Sequence, residues 1–136
     1  MSSETITRND LKAVLDEVLP NTSVDYIVEQ GTDGIWQYRK WNSGIAECWG
    51  QTSVASRQYA ANGGYYNVTE NLPSGLFNAS PNIVIASGRI ATVVQTDIGF
   101  TSPNNANVIQ TYLINRNSSA VTQAGAVYWM VKGRWK

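Results

Sequence analysis

Of the side chains able to do covalent chemistry, this sequence offers carboxylates and a single thiol, but not one imidazole. It holds ten Asp and Glu residues, Cys48, and no histidine. Without histidine there is no Ser-His-Asp or Cys-His arrangement, no usual zinc site and no common general base. Carboxylate-only chemistry survives, chiefly glycoside cleavage, which needs two carboxyl groups held about 5–9.5 Å apart. The eligible residues are Asp25, Glu29, Asp33, Glu47, Glu70 and Asp97, and they form no repeated or clustered motif. The expectation is therefore a non-enzymatic chain with no catalytic residue, no metal and no cofactor. Cys48 can form no intrachain disulfide. Between Glu47 and Trp49, in a strand-like run, it is expected to be a small buried side chain.

Binding chemistry is better represented. Aromatic residues make up 10% of the chain, charged residues only 15% with a net charge of zero, and Asn, Ser, Thr, Gly and Gln are abundant. That mixture suits carbohydrate recognition, in which a Tyr or Trp face stacks on a sugar and Asn, Asp or Gln bond its hydroxyls. The candidates outside the expected core are Tyr59, Tyr65, Tyr66 and Asn67, around the Asn62-Gly63-Gly64 turn, and the loop Asn104–Asn107. Each of these aromatics could instead serve the core or a subunit contact. A neutral surface without basic runs argues against nucleic acid or an anionic membrane as partner. It also leaves little to keep identical molecules apart. No apolar stretch approaches the ~20 residues of a membrane span. The N-terminal MSSETITRND lacks the basic start and apolar segment of a secretory signal. The protein is thus expected to be made in a cytoplasm and to leave it by lysis or on a particle.

The elements that must carry these residues fall into two parts. Near the N-terminus, Thr7 can cap a helix, Asp10 takes the capping-box position, and Ile6 can staple onto Leu11. Leu11, Val14, Leu15, Val18 and Leu19 then form one apolar face, and Pro20 stops the run. A helix this short is marginal alone, since isolated helices below about 12–15 residues do not hold in water. Its stripe must be buried, either against the rest of the chain or against copies of itself in a short parallel bundle. From Val24 onward, β-branched and aromatic runs alternate with Gly, Asn, Ser and Pro breaks. Strands are predicted near 24–30, 35–41, 45–51, 57–61, 65–69, 83–87, 89–96, 108–115 and 126–132. Val24, Tyr26 and Val28 share one side of their strand, as do Val127, Trp129 and Val131 of theirs. Closely spaced short strands indicate a sandwich or barrel. The expected fold is mainly β, an antiparallel β-sandwich or barrel-like head over residues 23–136 behind an N-terminal helix within 1–22.

The best-defined unit is the hairpin 35–51, IWQYRKWNSGIAECWGQ. A loop of Asn42, Ser43 and Gly44, with the glycine at the left-handed position, sets Trp41 opposite Ile45, Arg39 opposite Glu47 and Gln37 opposite Trp49. The other face carries Trp36, Tyr38, Ala46, Cys48 and Gly50, and is the expected core face. Trp36 opposite Gly50 lets a large ring cover bare backbone. On the first face Arg39 and Glu47 are expected to form a cross-strand ion pair between Trp41 and Trp49. That face could be solvated, could meet another subunit, or could be a ligand platform.

The run YRKWNSGIAECWG resembles the Lys-Trp-x-Ser-Gly-x-Ala-Glu-Cys-Trp-Gly segment of tail-fibre and minor structural proteins of phages and prophages from Firmicutes. The lead-in NDLKAVLDEVLPNTSVDYIVEQGTDGIWQYRKW, the segment LPSGLFNASPNIVIAS and the closing VYWMVKGRWK are similar to the same proteins. Residues 97–125 are the least characteristic. This resemblance implies a virion-associated homotrimeric β domain at a fibre or baseplate extremity, with other tail proteins and host cell-surface polysaccharide as partners. It brings no catalytic residues. It favours the 1–22 segment as an oligomerisation stem, with Leu11, Val14, Leu15 and Val18 along the axis; Trp41 and Trp49, on the hairpin face, are the further candidates for subunit contacts. A connector or cap inside the tail, without any ligand, is the alternative expectation, and a carboxylate-dependent glycan hydrolase a third.

Overall fold

The computed structural model describes residues 8–18, 24–91, 96–98, 102–103 and 105–136. The helix α1 spans Arg8–Val18, where the apolar spacing placed it, with Asp10 in the first turn against the positive end of the helix dipole. Leu11 is exposed, and the Lys12 ammonium lies 5.7 Å from the centre of the Tyr26 ring. The side chains of Val14, Leu15 and Val18, together with Ile6, Thr7, Leu19, Pro20 and Asn104, lie outside the described residues.

Among the described residues nine strands follow: β1 Ile27–Asp33, β2 Trp36–Trp41, β3 Ile45–Tyr59, β4 Tyr65–Asn71, β5 Ile83–Ile90, β6 Thr96–Ile98, β7 Ser102–Pro103, β8 Val108–Asn115 and β9 Val121–Arg134. They form two antiparallel sheets, one ordered β1-β2-β3-β9-β5 and the other β4-β8-β6, with β7 also on β8. The fold is the expected mainly β, antiparallel architecture with one short N-terminal helix. Its core lies between the sheets. Trp36, Cys48, Val127, Trp129 and Val131 come from the first sheet, and Val68, Ile109 and Leu113 from the second. Leu72, Leu76 and Phe77, in the segment after β4, close one side. Trp129 Nε1 donates to Thr52 Oγ1 at 2.8 Å, and that hydroxyl donates to Glu70 Oε2 at 2.7 Å, so a hydrogen-bonded chain crosses from β9 through β3 to β4.

The hairpin β2–β3 has the register that its turn dictates: Trp36 opposite Gly50, Gln37 opposite Trp49, Arg39 opposite Glu47. Gly44 takes φ 97° and its N–H donates to the Trp41 carbonyl at 2.9 Å. Trp36, Ala46 and Cys48 are buried, as alternation requires, and Trp36 Nε1 donates to the Asn71 carbonyl at 2.7 Å. Burial pushes the Cys48 thiol up to about 12, so it stays a neutral core side chain rather than a nucleophile.

Four sequence expectations need correction. The first strand begins at Ile27 rather than Val24, because the lead-in is tied to the hairpin turn. Tyr26 accepts from the Asn42 N–H at 2.8 Å, and Asp25 takes the Ser43 hydroxyl at 2.6 Å and its N–H at 2.9 Å. The runs 45–51 and 57–61 are one strand, β3, with a bulge between Val54 and Arg57 in its pairing to β9. The run 83–87 continues through Gly88 to Ile90, while residues 92–95 of the expected 89–96 strand lie outside the described residues. Gly88 is not a break but a point of close approach. A Cβ there would stand 2.6 Å from side-chain atoms of both Ile98 and Leu113, on the opposite sheet. Finally, Arg39 and Glu47 face each other but make no ion pair. The Arg39 guanidinium lies 5.0 Å from the centre of the Trp49 ring, and Glu47 Oε1 accepts from Trp41 Nε1 at 3.3 Å. An exposed ion pair is worth only about 0–1 kcal/mol, so stacking on a large ring competes readily.

Candidate functional site

Alternation along β4 and β8 sends one set of side chains into the core and the other outward. Val68 on β4 and Ile109, Thr111, Leu113 and Asn115 on β8 are buried. The outward set pairs Tyr65 with Ile114, Asn67 with Tyr112 and Thr69 with Gln110. Tyr65 is 68% exposed and meets Tyr112 edge-on, with centroids 5.5 Å apart and planes at 82°. On the far flank, β6 sets Asp97 opposite Ile114, and Arg116 Nη2 and Nε both donate to Asp97 Oδ2, at 3.1 and 3.3 Å. The outer face of the smaller sheet therefore carries two tyrosine rings, a primary amide and an exposed ion pair. Tyrosine gives a large contact area at small conformational cost, and the amide gives both a donor and an acceptor. Those are the requirements for holding the apolar face and hydroxyl edge of a sugar.

The four residues singled out in the sequence do not form one site. Tyr65 and Asn67 share this outer face. Tyr66 points the other way, half-buried, with the Arg57 guanidinium 3.5 Å from its ring centre. Tyr59 lies in the core at 1% exposure, so its ring offers no face to a ligand, which corrects its placement outside the core. Tyr112 was missed. The strand 108–115 was legible and its alternation turns Tyr112 outward, but only the pairing of β4 with β8 brings it beside Tyr65. The Tyr59 hydroxyl is buried without a hydrogen-bond partner among the described residues, and burial pushes its pKa up. Replacing Tyr59 with phenylalanine should thus raise stability, by about 1 kcal/mol on removing an unsatisfied polar group. A higher urea midpoint with an unchanged slope is the expected result.

The carboxylates are committed mostly to local structure. Asp25 binds Ser43, which holds its carboxyl below the usual range. Glu29 pairs with Lys40 at 3.4 Å, Glu47 with the Trp41 indole, Glu70 with Thr52, and Asp97 with Arg116. Glu29 and Asp33 do line one cleft of about 200 Å³ with Tyr38 and Lys40. Among the described residues no group of three potential metal ligands comes together.

The outer face of the larger sheet is different in kind. Cross-strand rows place Trp49 beside Met130 and Met130 beside Ile85, then Glu47 beside Lys132 and Lys132 beside Ile83. Met130 is 58% exposed and Ile85 57%, with Ile83 and Tyr128 also open. Isolated exposed apolar residues are ordinary; here several are neighbours on one sheet face, beside the charged Glu47–Lys132 row. Of the residues expected at subunit contacts, Trp49 sits in this patch. Trp41 stands at its margin, half-buried, where its carbonyl accepts from Trp135 Nε1 at 2.8 Å. Leu11 is 54% exposed, and Val14, Leu15 and Val18 fall on side chains outside the described residues. Ile83, Ile85, Tyr128 and Met130 were not foreseen. With Val127, Trp129 and Val131 inward, the phase of β9 already turns Tyr128 and Met130 outward, but the flanking strands were not readable.

No protein-family model and no curated protein matches the sequence. Two solved structures share the fold. The R1 pyocin fibre of P. aeruginosa comprising C-terminal residues 323–701 is similar with a TM-score of 0.58 and 14% identity, over 89% of this chain and 31% of that one. An N-truncated R1-type pyocin tail fibre is similar with a TM-score of 0.55 and 14% identity, over 98% of this chain and 99% of that one. The chain spans under a third of the first of these fibres. At this identity the likeness is one of fold.

Proposed function

We propose that this chain is the tip domain of a phage or prophage tail fibre or baseplate, assembled as a homotrimer and binding host-surface polysaccharide without cleaving it. Copies meet through the apolar outer face of the larger sheet, with α1 as the stem of the assembly. The smaller sheet then points outward, with Tyr65, Asn67 and Tyr112 as the sugar-binding set. The observation that carries this reading is the contrast between the two outer faces of one sandwich, one with an open apolar row of Trp49, Met130 and Ile85 beside the Glu47–Lys132 row, the other aromatic and polar. The fold likeness to pyocin fibres and the resemblance of the 38–50 segment to phage tail proteins support the same reading. Among the described residues no helix is long and apolar enough to cross a membrane. On this reading the partners are other tail proteins, sister copies and a surface glycan, and the place of action is the virion.

The test is binding to an array of bacterial surface polysaccharides, followed by calorimetry on any positive. The combined Tyr65→Ala and Tyr112→Ala change should weaken binding about 10- to 30-fold, the ~1.4–2 kcal/mol that an anchoring aromatic commonly carries. Its folding should be intact, because Tyr65 is exposed and Tyr112 half-exposed. Unaltered affinity in the double variant would remove this face from the site. Binding to no polysaccharide at all would leave a tail connector without a ligand.

A further inference from the structure

The bulge in β3 opens a second feature, on the opposite side of β4 from the tyrosine face. Up to Val54, even-numbered residues of β3 face the core: Ala46, Cys48 and Val54 are buried. The pairing then runs Val54 to Gly125 and Arg57 to Gln123, so β3 spends one more residue than β9. That extra residue inverts the phase, and Tyr59 turns inward. Arg57, two residues earlier, shares the phase of Tyr59. It reaches toward β4 and lays its guanidinium 3.5 Å from the centre of the Tyr66 ring. Because β4 is the edge strand of its sheet, the sandwich is open here. A cleft of about 210 Å³ results, lined among others by Ser53, Ala55, Ser56, Arg57, Tyr66 and Thr69.

We propose that this cleft is a binding site for an oxyanion, a carboxylate or phosphate group, with Arg57 as its charged partner. A guanidinium whose face is stacked on a ring keeps its in-plane N–H edge free, and that edge matches an oxyanion in a bidentate pair. No carboxylate among the described residues pairs with Arg57; the ion pairs there are Lys40 with Glu29 and Arg116 with Asp97. The acid on the facing strand, Glu70, lies four residues beyond Tyr66 on the same face of β4, roughly 13 Å along it, and its carboxylate is held by the hydroxyl of Thr52 at the far end of the cleft. Ser53, Ser56 and Thr69 also line the cleft. Ala55 and Ser56 drop out of the β3–β9 register, which frees local backbone from strict ladder pairing. The ligand class is an acidic group small enough for the cleft, such as a uronate carboxylate or a phosphate of a glycopolymer. This goes beyond the sugar-binding face and does not depend on it, since the two lie on opposite sides of β4.

The experiment is a nuclear magnetic resonance titration of the full chain with inorganic phosphate, glucuronate and neutral glucose, at constant ionic strength. Saturable shifts should appear with phosphate or glucuronate at the Arg57 Nε–H and at the Ala55 and Ser56 amides, and not with glucose. Whichever of the two acids saturates at the lower concentration identifies the source. Arg57→Gln should abolish saturation, and Arg57→Lys should weaken it at least several-fold, because an ammonium cannot form the planar pair. Non-saturating shifts shared by Arg39, Arg89, Arg116 and Arg134 would overturn the proposal, as would saturation retained in Arg57→Gln. A matching melting curve for each variant separates loss of the site from loss of fold. Loss of polysaccharide binding in the Tyr65 and Tyr112 double variant, with the anion shifts intact, would show the two sites to be independent.

Discussion

Asn115→Leu should cost the fold about 3–5 kcal/mol and lower the thermal midpoint by ~10 °C or more. Asn115 is fully buried at the end of β8, where its side chain ties three stretches of chain together. Its Nδ2 donates to the carbonyls of Ala60 at 3.1 Å and Ser119 at 3.0 Å, with the Tyr59 carbonyl at 3.4 Å, and its Oδ1 accepts from the Asn117 N–H at 2.9 Å. Its backbone also pairs with the Asn62–Gly64 turn, donating to Gly64 O at 2.8 Å and accepting from Gly63 N at 2.7 Å. Leucine has the same branching but bulkier methyls and no polar atom, so it crowds the site and leaves several backbone groups without partners in the interior. Each such group costs about 1–3 kcal/mol, which exceeds any gain from added apolar burial. Chemical denaturation followed by tryptophan fluorescence reads the difference directly. A variant as stable as the parent would mean that these carbonyls are satisfied by other means.

Met130→Asp should convert the assembly to monomers while leaving the β signal of the subunit in place. In the single subunit the Met130 side chain is 58% exposed, so a carboxylate there is solvated and harmless to the fold. In an assembly packed on this face it would enter an apolar contact between Trp49 and Ile85, once per copy. A charge buried without a partner costs several kcal/mol, and a symmetric oligomer incurs that cost at every interface. Light scattering of parent and variant at equal concentration gives the result. Retention of the parent mass would move the interface elsewhere, with α1 as the first alternative.

Local signals account for what the sequence reveals. The β2–β3 register follows from three turn residues and from strict alternation on either side, and every expected pair that can be compared is present. The strand 108–115 is exact because its flanks are turn-rich and its own pattern alternates cleanly. What could not be read lies in phase and in long-range pairing. One extra residue between Val54 and Arg57 inverts the inward phase, which sent Tyr59 into the core against expectation and brought Arg57 to Tyr66. β9 sits between β3 and β5, joining residues more than 70 positions apart, such as Trp49 and Met130. No local pattern specifies that neighbourhood, so the apolar patch stayed hidden although the outward phase of Tyr128 and Met130 was present in the alternation. The tyrosine face was half legible for the same reason, with Tyr65 and Asn67 evident and Tyr112 dependent on the β4–β8 pairing.

The functional reading turns on the assembly of three sister chains. The mass in solution tests it most directly, by sedimentation equilibrium at micromolar concentration on the unmodified chain. A single species of three times the 14.9 kDa subunit is expected. A species of 14.9 kDa across the whole concentration range would contradict it.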